Sequence, residues 1–119
     1  MTDDAPRVEA RDGRNPGQRV LNVSGRLVFP TRLLAMEFLE HARVETSPVV
    51  ILDLRGVTFC DSSGVGALTQ LLDTFKRENR RFAIVPSDRV TFVLGIAQVL
   101  DFFMRFSTVE EAEDAVVPR

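Results

Sequence analysis

The run VVILDL, residues 49–54, limits what this chain can fold into more than any other feature. Five of its six side chains are apolar and three of them are β-branched, a composition typical of a strand that is buried on both faces. Turn-rich and helix-periodic segments lie on either side of the run. This alternation predicts an α/β domain whose later strands are parallel and joined by right-handed helical crossovers.

The rest of the chain divides into short strand-like and helix-like segments. Residues 7–24 are interpreted as two strands joined by the turn-rich stretch DGRNPG. Pro30 begins a predicted helix that ends near Arg43. The later predicted elements are an apolar-striped helix after residue 61, a strand over 80–86, a helix over 88–100 capped by Ser87 or Asp88, a strand over 102–106 and a terminal helix from Ser107 or Thr108.

Length and composition exclude several classes of protein. The chain has 119 residues, of which 45% are hydrophobic, so we expect one domain spanning residues 1–119, with residues 1–6 flexible. A net charge of −2 does not favour binding to nucleic acid or to an anionic membrane. One cysteine, Cys60, and one histidine, His41, cannot form a disulfide or a Cys/His metal site. With no leader or spanning segment in the sequence, a cytoplasmic location is expected.

The stretch CDSSG, residues 60–64, carries the candidate chemistry. Either Asp61 or Ser62 can cap the helix that follows, which leaves Ser63 without a structural requirement. A serine in the first turn of a helix, after a central strand, lies where free backbone amides and the helix dipole favour an anion. A phosphate on Ser63 would change the charge that a docked partner meets, without moving the backbone.

Other interpretations of the same region have weaker support. A glycine-rich nucleotide fingerprint would need glycine where Thr69 stands, and a hydrolase would need a base that His41, on a predicted helix, does not supply. Asp53 invites comparison with the phosphoacceptor of a receiver domain, but the acidic pair and the late lysine of that domain are missing, so local hydrogen bonds are the favoured role. Cys60 is expected to pack rather than react.

Four phenylalanines are harder to place. Phe102, Phe103 and Phe106 are expected to lie in the core. Phe29 falls in a loop before Pro30, where an apolar side chain could anchor a partner.

The segment VVILDLRGVTFCDSSGVGAL closely resembles the signature of the STAS domain, the family named for sulphate transporters and anti-sigma factor antagonists. Its flanking segments LVFPTRLLAMEFLEHA, RRFAIVPSDRVTFVLGIAQVLDFF and VEEAEDAV fall where that family has its other elements, so the resemblance extends from about Arg19 to Val116. It implies a mixed sheet of four to five strands with about four helices packed against it.

The resemblance also implies a function. Such proteins are non-enzymatic antagonists that bind an anti-sigma factor with serine kinase activity and thereby release a sigma factor. Phosphorylation of the second hydroxyl residue of the motif, here Ser63 with Ser62 as the alternative, ends the binding, and a PP2C-type phosphatase reverses it. The implied contact surface comprises Asp61, Ser62, Ser63, Gly64, Val28 and Phe29.

One position departs from the family pattern. Switching members carry an acid after the leucine of a GxLD motif, whereas Gly25, Arg26 and Leu27 are followed here by Val28. A constitutive interaction or scaffold domain that ignores the state of Ser63 is therefore the alternative hypothesis. A small-ligand or nucleotide binder is the third.

Overall fold

A computed structural model describes residues 6–29, 37, 40 and 46–118. The predicted helix from Pro30 to Arg43 lies outside the described residues, apart from Glu37 and Glu40, which are helical. His41 and the first five residues also lie outside them.

The described elements form a mixed sheet with helices on both faces. The strands are β1 (Arg7–Asp12), β2 (Gln18–Leu27), β3 (Val49–Cys60), β4 (Arg81–Pro86) and β5 (Met104–Arg105), and the helices are α1 (Ser62–Arg77), α2 (Asp88–Ile96), a short 3-10 helix (Leu100–Phe102) and α3 (Val109–Ala115). The sheet order is β1-β2-β3-β4-β5, in which β1 is antiparallel to β2 and every other pair is parallel. The predicted α/β class and mixed sheet are confirmed.

Strand β3 is the centre of the sheet, as the run VVILDL predicts. All six residues of the run are buried. Alternate side chains enter two apolar clusters, since Val50, Leu52 and Leu54 belong to one and Val49 and Ile51 to the other. The first cluster contains the buried apolar side chains of α1 and α2, and the second contains those of α3, so helices cover both faces of the strand.

Helix α1 has the apolar stripe that its sequence predicts. Leu68, Leu71 and Phe75 are buried and face the sheet, while Val65 and Leu72 pack at the edge of the same cluster. The predicted starts of the other helices are also confirmed. Ser87 caps α2 by accepting from the Val90 N–H, and Thr108 caps α3 in a capping box with Glu111. Sequence alone had left the capping residue open in both helices.

Three boundaries differ from the prediction. Strand β3 continues to Cys60, six residues beyond the apolar run, because β2 pairs with it as far as Leu27. Helix α2 ends at Ile96 rather than near residue 100, since Gln98 adopts a positive φ of 62°. Strand β5 has only two residues.

The predicted burial of the late phenylalanines is correct only in part. Phe103 is buried and Phe106 is partly buried, but Phe102 is exposed because it ends the 3-10 helix on the outer surface.

The C-terminal helix is held to the β1–β2 loop through Glu113. The side chain of Glu113 is 2% exposed, and its carboxylate accepts from the Arg14 backbone N–H at 2.8 Å and from Arg11 Nη1 at 3.5 Å. Its backbone carbonyl accepts from the side-chain amides of Asn15 and Gln18. These bonds join segments about a hundred positions apart in the chain, and nothing in the local sequence predicts them.

Candidate functional site

The candidate site lies at the edge of the sheet where the parallel strands β2, β3 and β4 end. Ligand sites in parallel α/β sheets collect at this edge because strand ends and helix starts meet there. Strands β2 and β3 end together, with Leu27 opposite Cys60. Helix α1 begins two residues later at Ser62. The motif CDSSG therefore forms the turn between the central strand and its helix.

Asp61 is the N-cap residue of α1. Its backbone is extended, with φ −120°, and its Oδ1 accepts from the backbone N–H of Ser63 at 3.0 Å and of Gly64 at 3.3 Å. The hydroxyl of Ser63 and the N–H groups of Gly64 and Ser63 stabilise the carboxylate, and they lower the pKa of Asp61 despite an opposing contribution from burial. Asp61 therefore carries a negative charge at neutral pH.

The hydroxyl of Ser63 connects the start of α1 with the end of β2. Ser63 is partly buried. Its Oγ donates to Asp61 Oδ1 at 2.5 Å and accepts from the Phe29 N–H at 3.0 Å. Ser62, the first residue of the helix, is exposed instead. The two adjacent serines thus differ in environment, and only Ser63 bridges two segments of the described structure.

Gly64 allows α1 to approach the end of β2. A Cβ atom at this position would lie 2.3 Å from the backbone oxygen of Leu27 and 2.8 Å from Cys60 Sγ, distances that no side chain can adopt. Gly64 is itself buried, so its contribution is to packing beneath the site.

The hydrogen bonds of Asp61 disfavour the alternative of a nucleotide site. Its carboxylate already accepts from the N–H groups of Ser63 and Gly64, which a bound phosphate would need.

The loop after β2 contributes a backbone N–H group to the site and not an exposed aromatic side chain. Phe29 is only 8% exposed and belongs to the main apolar cluster. The expectation that its ring could anchor a partner is therefore wrong for this structure, because the ring is used in the core. Its N–H group contacts Ser63 instead, and Val28 beside it is partly buried.

Cys60 packs beneath the site, as its sequence context predicts. The thiol is buried, and its pKa is raised to about 11 by burial and by the negative charge of Asp61. At neutral pH it is protonated and therefore unreactive.

Asp53 lies away from this edge, in the interior of β3. It is buried and accepts from Arg55 Nε at 2.9 Å, Arg55 Nη2 at 3.0 Å and Asn22 Nδ2 at 3.1 Å. Burial alone would raise its pKa, but the bonds from Arg55 and Asn22 lower it. The favoured prediction of local hydrogen bonding is confirmed, and a receiver-like phosphoacceptor role receives no support.

Sequence reasoning missed a cluster at the same edge, formed by Arg26, Phe59 and Arg89, which we call the arginine–aromatic cluster. The guanidinium carbons of Arg26 and Arg89 lie 4.8 and 4.9 Å from the centre of the Phe59 ring. The three residues belong to β2, β3 and α2. No local pattern connects them, because they meet only once the sheet has formed.

Comparison with known proteins agrees with this fold. The family model described as the STAS domain matches residues 7–112. The structure is similar to that of an anti-sigma factor antagonist from Mycobacterium paratuberculosis, with a TM-score of 0.80 and 20% identity over 97% of each chain. It is also similar to the Bacillus cell fate determinant SpoIIAA in its phosphorylated form, with a TM-score of 0.67 and 19% identity over 93% of this chain and 100% of that one.

A third similar structure is a murine anion transporter of the solute carrier 26 family, with a TM-score of 0.67 and 15% identity; 96% of this chain aligns with 23% of that protein. The sequence matches none of the curated proteins with which it was compared. Across the part of the chain that the structure describes, every helix is too short or too polar to span a membrane.

Proposed function

The chain belongs to the STAS domain family, and on that premise we propose that it is an anti-sigma factor antagonist switched by phosphorylation of Ser63. The unphosphorylated form binds an anti-sigma factor that is also a serine kinase, and this binding releases a sigma factor. A PP2C-type phosphatase restores the binding form. The protein itself acts by binding and not by catalysis.

The observation that carries this proposal is the position of the Ser63 hydroxyl, between the carboxylate of Asp61 and the N–H of Phe29. Phosphorylation replaces the proton that the hydroxyl donates to Asp61, so that bond is lost. The N–H of Phe29 can still donate to a phosphate oxygen. The modification therefore needs no change of fold, and its effect falls on the surface.

The electrostatic change is large for so small a group. A phosphate adds about 1.5 to 2 negative charges at neutral pH, and here it is added next to Asp61, which is already ionised because its pKa is lowered. A partner that closes over this turn must then desolvate a concentrated negative charge or place a cation against it. A surface complementary to the neutral hydroxyl provides neither, so affinity falls.

Two further features are consistent with the proposal. Phosphorylation is a property of a similar protein, since the Bacillus relative was solved in its phosphorylated form. Cys60, buried and protonated, is compatible with a reducing cytoplasm, which is the location that we propose. Nucleic acid and membrane are not part of the proposed mechanism.

The test is phosphorylation by the cognate anti-sigma factor with ATP, followed by peptide mass spectrometry. We expect one phosphate on Ser63, its loss in Ser63→Ala and its retention in the matched control Ser62→Ala. Binding of Ser63→Asp to the same partner should be weaker by at least about tenfold, which corresponds to about 1.4 kcal/mol. An unmodified Ser63, together with wild-type affinity of Ser63→Asp, would overturn the switch.

A constitutive STAS interaction module is the second candidate, and Val28 is the observation that favours it. This partly buried apolar residue stands where switching members carry an acid that faces the kinase. A constitutive module would bind its partner with the same affinity whether residue 63 is Ser, Ala or Asp. The binding series above therefore separates the two candidates.

A further inference from the structure

The arginine–aromatic cluster concentrates two positive charges around one ring. Arg26 is opposite Phe59 in the β2–β3 register. Strand β4 pairs with β3 only as far as Leu54, so beyond that point α2, which follows β4, packs beside β3. Arg89 in the first turn of α2 thereby reaches the Phe59 ring, at 4.9 Å from its centre. Phe59 is partly buried, whereas both arginines are exposed.

Neither guanidinium of the cluster is neutralised within the described residues. Other arginines are paired with acids, for example Arg14 with Asp114 and Arg55 with Asp53. Arg26 and Arg89 form no such ion pair in the part of the chain that the structure describes, and both stack on Phe59. Stacking uses the flat face of a guanidinium and leaves the N–H groups at its edge free to donate to a carboxylate.

The exposed face of α2 continues the cluster with apolar side chains. Phe92 is 58% exposed and Ile96 is 67% exposed. They follow Arg89 by three and seven residues, so Arg89, Phe92 and Ile96 lie on one face of the helix, which we call the α2 stripe. Val90 and Leu94 occupy the opposite face and are buried. Large apolar side chains exposed next to unpaired arginines are a common feature of protein-binding surfaces.

We propose that the arginine–aromatic cluster and the α2 stripe together dock an acidic amphipathic segment of a protein partner. Carboxylates of that segment bind Arg26 and Arg89, and its apolar side chains cover Phe92 and Ile96. This inference rests on the proposed function, since the partner is the anti-sigma factor. A free inorganic anion would use the arginines but would leave the apolar residues of the stripe uncovered.

The docking surface and the Ser63 site have opposite charges. Both lie where β2 and β3 end. The last residue pair of these two strands is Leu27 with Cys60, and the pair before it is Arg26 with Phe59. The Ser63 side is negative through Asp61 and becomes more negative on phosphorylation. The Arg26–Arg89 side is positive. A partner that contacts both regions must be acidic opposite α2 and must not be acidic opposite Ser63. This difference in charge specifies the orientation in which the partner binds.

The first test is affinity for the anti-sigma factor. The double variant Arg26→Gln/Arg89→Gln should bind at least about tenfold more weakly than wild type and should show a smaller dependence on salt. Arg77→Gln, an exposed arginine at the far end of α1, is the matched control and should bind like wild type. Thermal unfolding of each variant checks that the fold is retained, and Arg89→Lys provides a milder second variant.

The second test is photo-crosslinking. Benzoylphenylalanine in place of Phe92 should crosslink to a partner peptide that carries acidic residues among apolar ones. Substitution of those acidic residues by Lys should weaken binding of the partner to the wild-type protein. The same substitutions should not further weaken its binding to the Arg26→Gln/Arg89→Gln variant. The same probe at Phe102, which is also exposed, should give no crosslink. A crosslinked segment without acids would overturn the inference.

The outcomes distinguish this inference from the proposed function. If Ser63→Asp weakens binding while Arg26→Gln/Arg89→Gln binds like wild type, the docking surface is wrong and the switch stands. If the arginine variant loses affinity while Ser63 stays unmodified and Ser63→Asp binds like wild type, the docking surface stands and the switch fails. If phosphate stabilises wild type but not the arginine variant, and Phe92 gives no crosslink, the cluster is a small-anion site and the docking inference is overturned.

Discussion

At the scale of single residues, Gly64 and Gly66 at the start of α1 differ in the space available to a side chain. Gly64 is buried, and a Cβ atom there would lie 2.3 Å from the carbonyl oxygen of Leu27. Backbone cannot move away as easily as a flexible side chain can. Gly66, one half-turn later, has nothing within 4 Å of the corresponding position. The sequence GVG does not reveal which glycine the fold requires.

Alanine substitutions separate these two roles. Gly64→Ala should lower the free energy of unfolding by about 1–3 kcal/mol, the usual range for overpacking. Gly66→Ala should raise it by about 0.5–1 kcal/mol, because alanine favours the helix without meeting a neighbour. Urea unfolding of both variants measures the difference. Equal effects of the two substitutions would contradict the close approach of α1 to β2.

Ser63 has a structural role besides the modification that we propose for it. Its hydroxyl is bonded on both sides, by Asp61 and by Phe29, whereas the neighbouring Ser62 is exposed. Accessibility alone would therefore favour Ser62 as the phosphoacceptor, and the family motif favours Ser63. The pair of alanine variants described above decides between them.

At the scale of elements, α1 depends on its cap. Asp61 accepts three hydrogen bonds from the first turn, two from backbone N–H groups and one from the hydroxyl of Ser63. The bonds to the ionised carboxylate lower its pKa in the folded protein. A lowered folded-state pKa means that the carboxylate stabilises the fold when it is charged. That contribution is present above the ordinary pKa of 3.8 and is lost as the pH falls through the lower folded-state value.

The cap can be tested by its pH dependence. Asp61→Asn retains a capping side chain but removes the charge, and Asp61→Ala removes both. At pH 7 we expect Asp61→Ala to lose about 1–2 kcal/mol of unfolding free energy and Asp61→Asn to lose less. The difference between wild type and Asp61→Asn should shrink as the pH is lowered below 3.8. A difference that stays constant down to pH 2 would show that the charge of Asp61 does not stabilise α1.

At the scale of the whole molecule, Glu113 connects the two ends of the described chain. It lies in α3 and accepts from the Arg14 backbone in the β1–β2 loop. Its side chain is 2% exposed, so an uncompensated charge there would be costly, and the two arginines and the backbone N–H provide the compensation. Without these bonds, only the apolar contacts of α3 with the second apolar cluster would hold the described part of this helix to the sheet.

Glu113→Ala should therefore destabilise the protein by about 1–3 kcal/mol, because it leaves the Arg14 backbone N–H without its acceptor, whereas the half-exposed side chains of Arg11 and Arg14 remain solvated. Asp114→Ala is the matched control. Asp114 also pairs with Arg14 but is 73% exposed, so its loss should cost less than about 1 kcal/mol. Urea unfolding of both variants provides the measurement. Similar values for both would indicate that burial of the Glu113 carboxylate contributes little.

The sequence by itself determined the class of the fold and the place of the candidate site. The run at residues 49–54, the stripe from Leu68 to Phe75 and the helix starts at residues 87–88 and 107–108 are local patterns. Local backbone preferences together with one-sided burial are sufficient to produce them. The motif at residues 60–64 identified the strand-to-helix turn for the same reason.

Only the tertiary structure decided which side chains share a surface. Four features depend on segments that are far apart in sequence. They are the burial of Phe29, the close approach of Gly64 to Leu27, the bridge from Ser63 to the end of β2 and the stacking of Arg26 and Arg89 on Phe59. Such contacts depend on the register of strands and on the distance between a helix and its sheet. Neither quantity is encoded in any single stretch of the chain, because each results from the packing of all of them together.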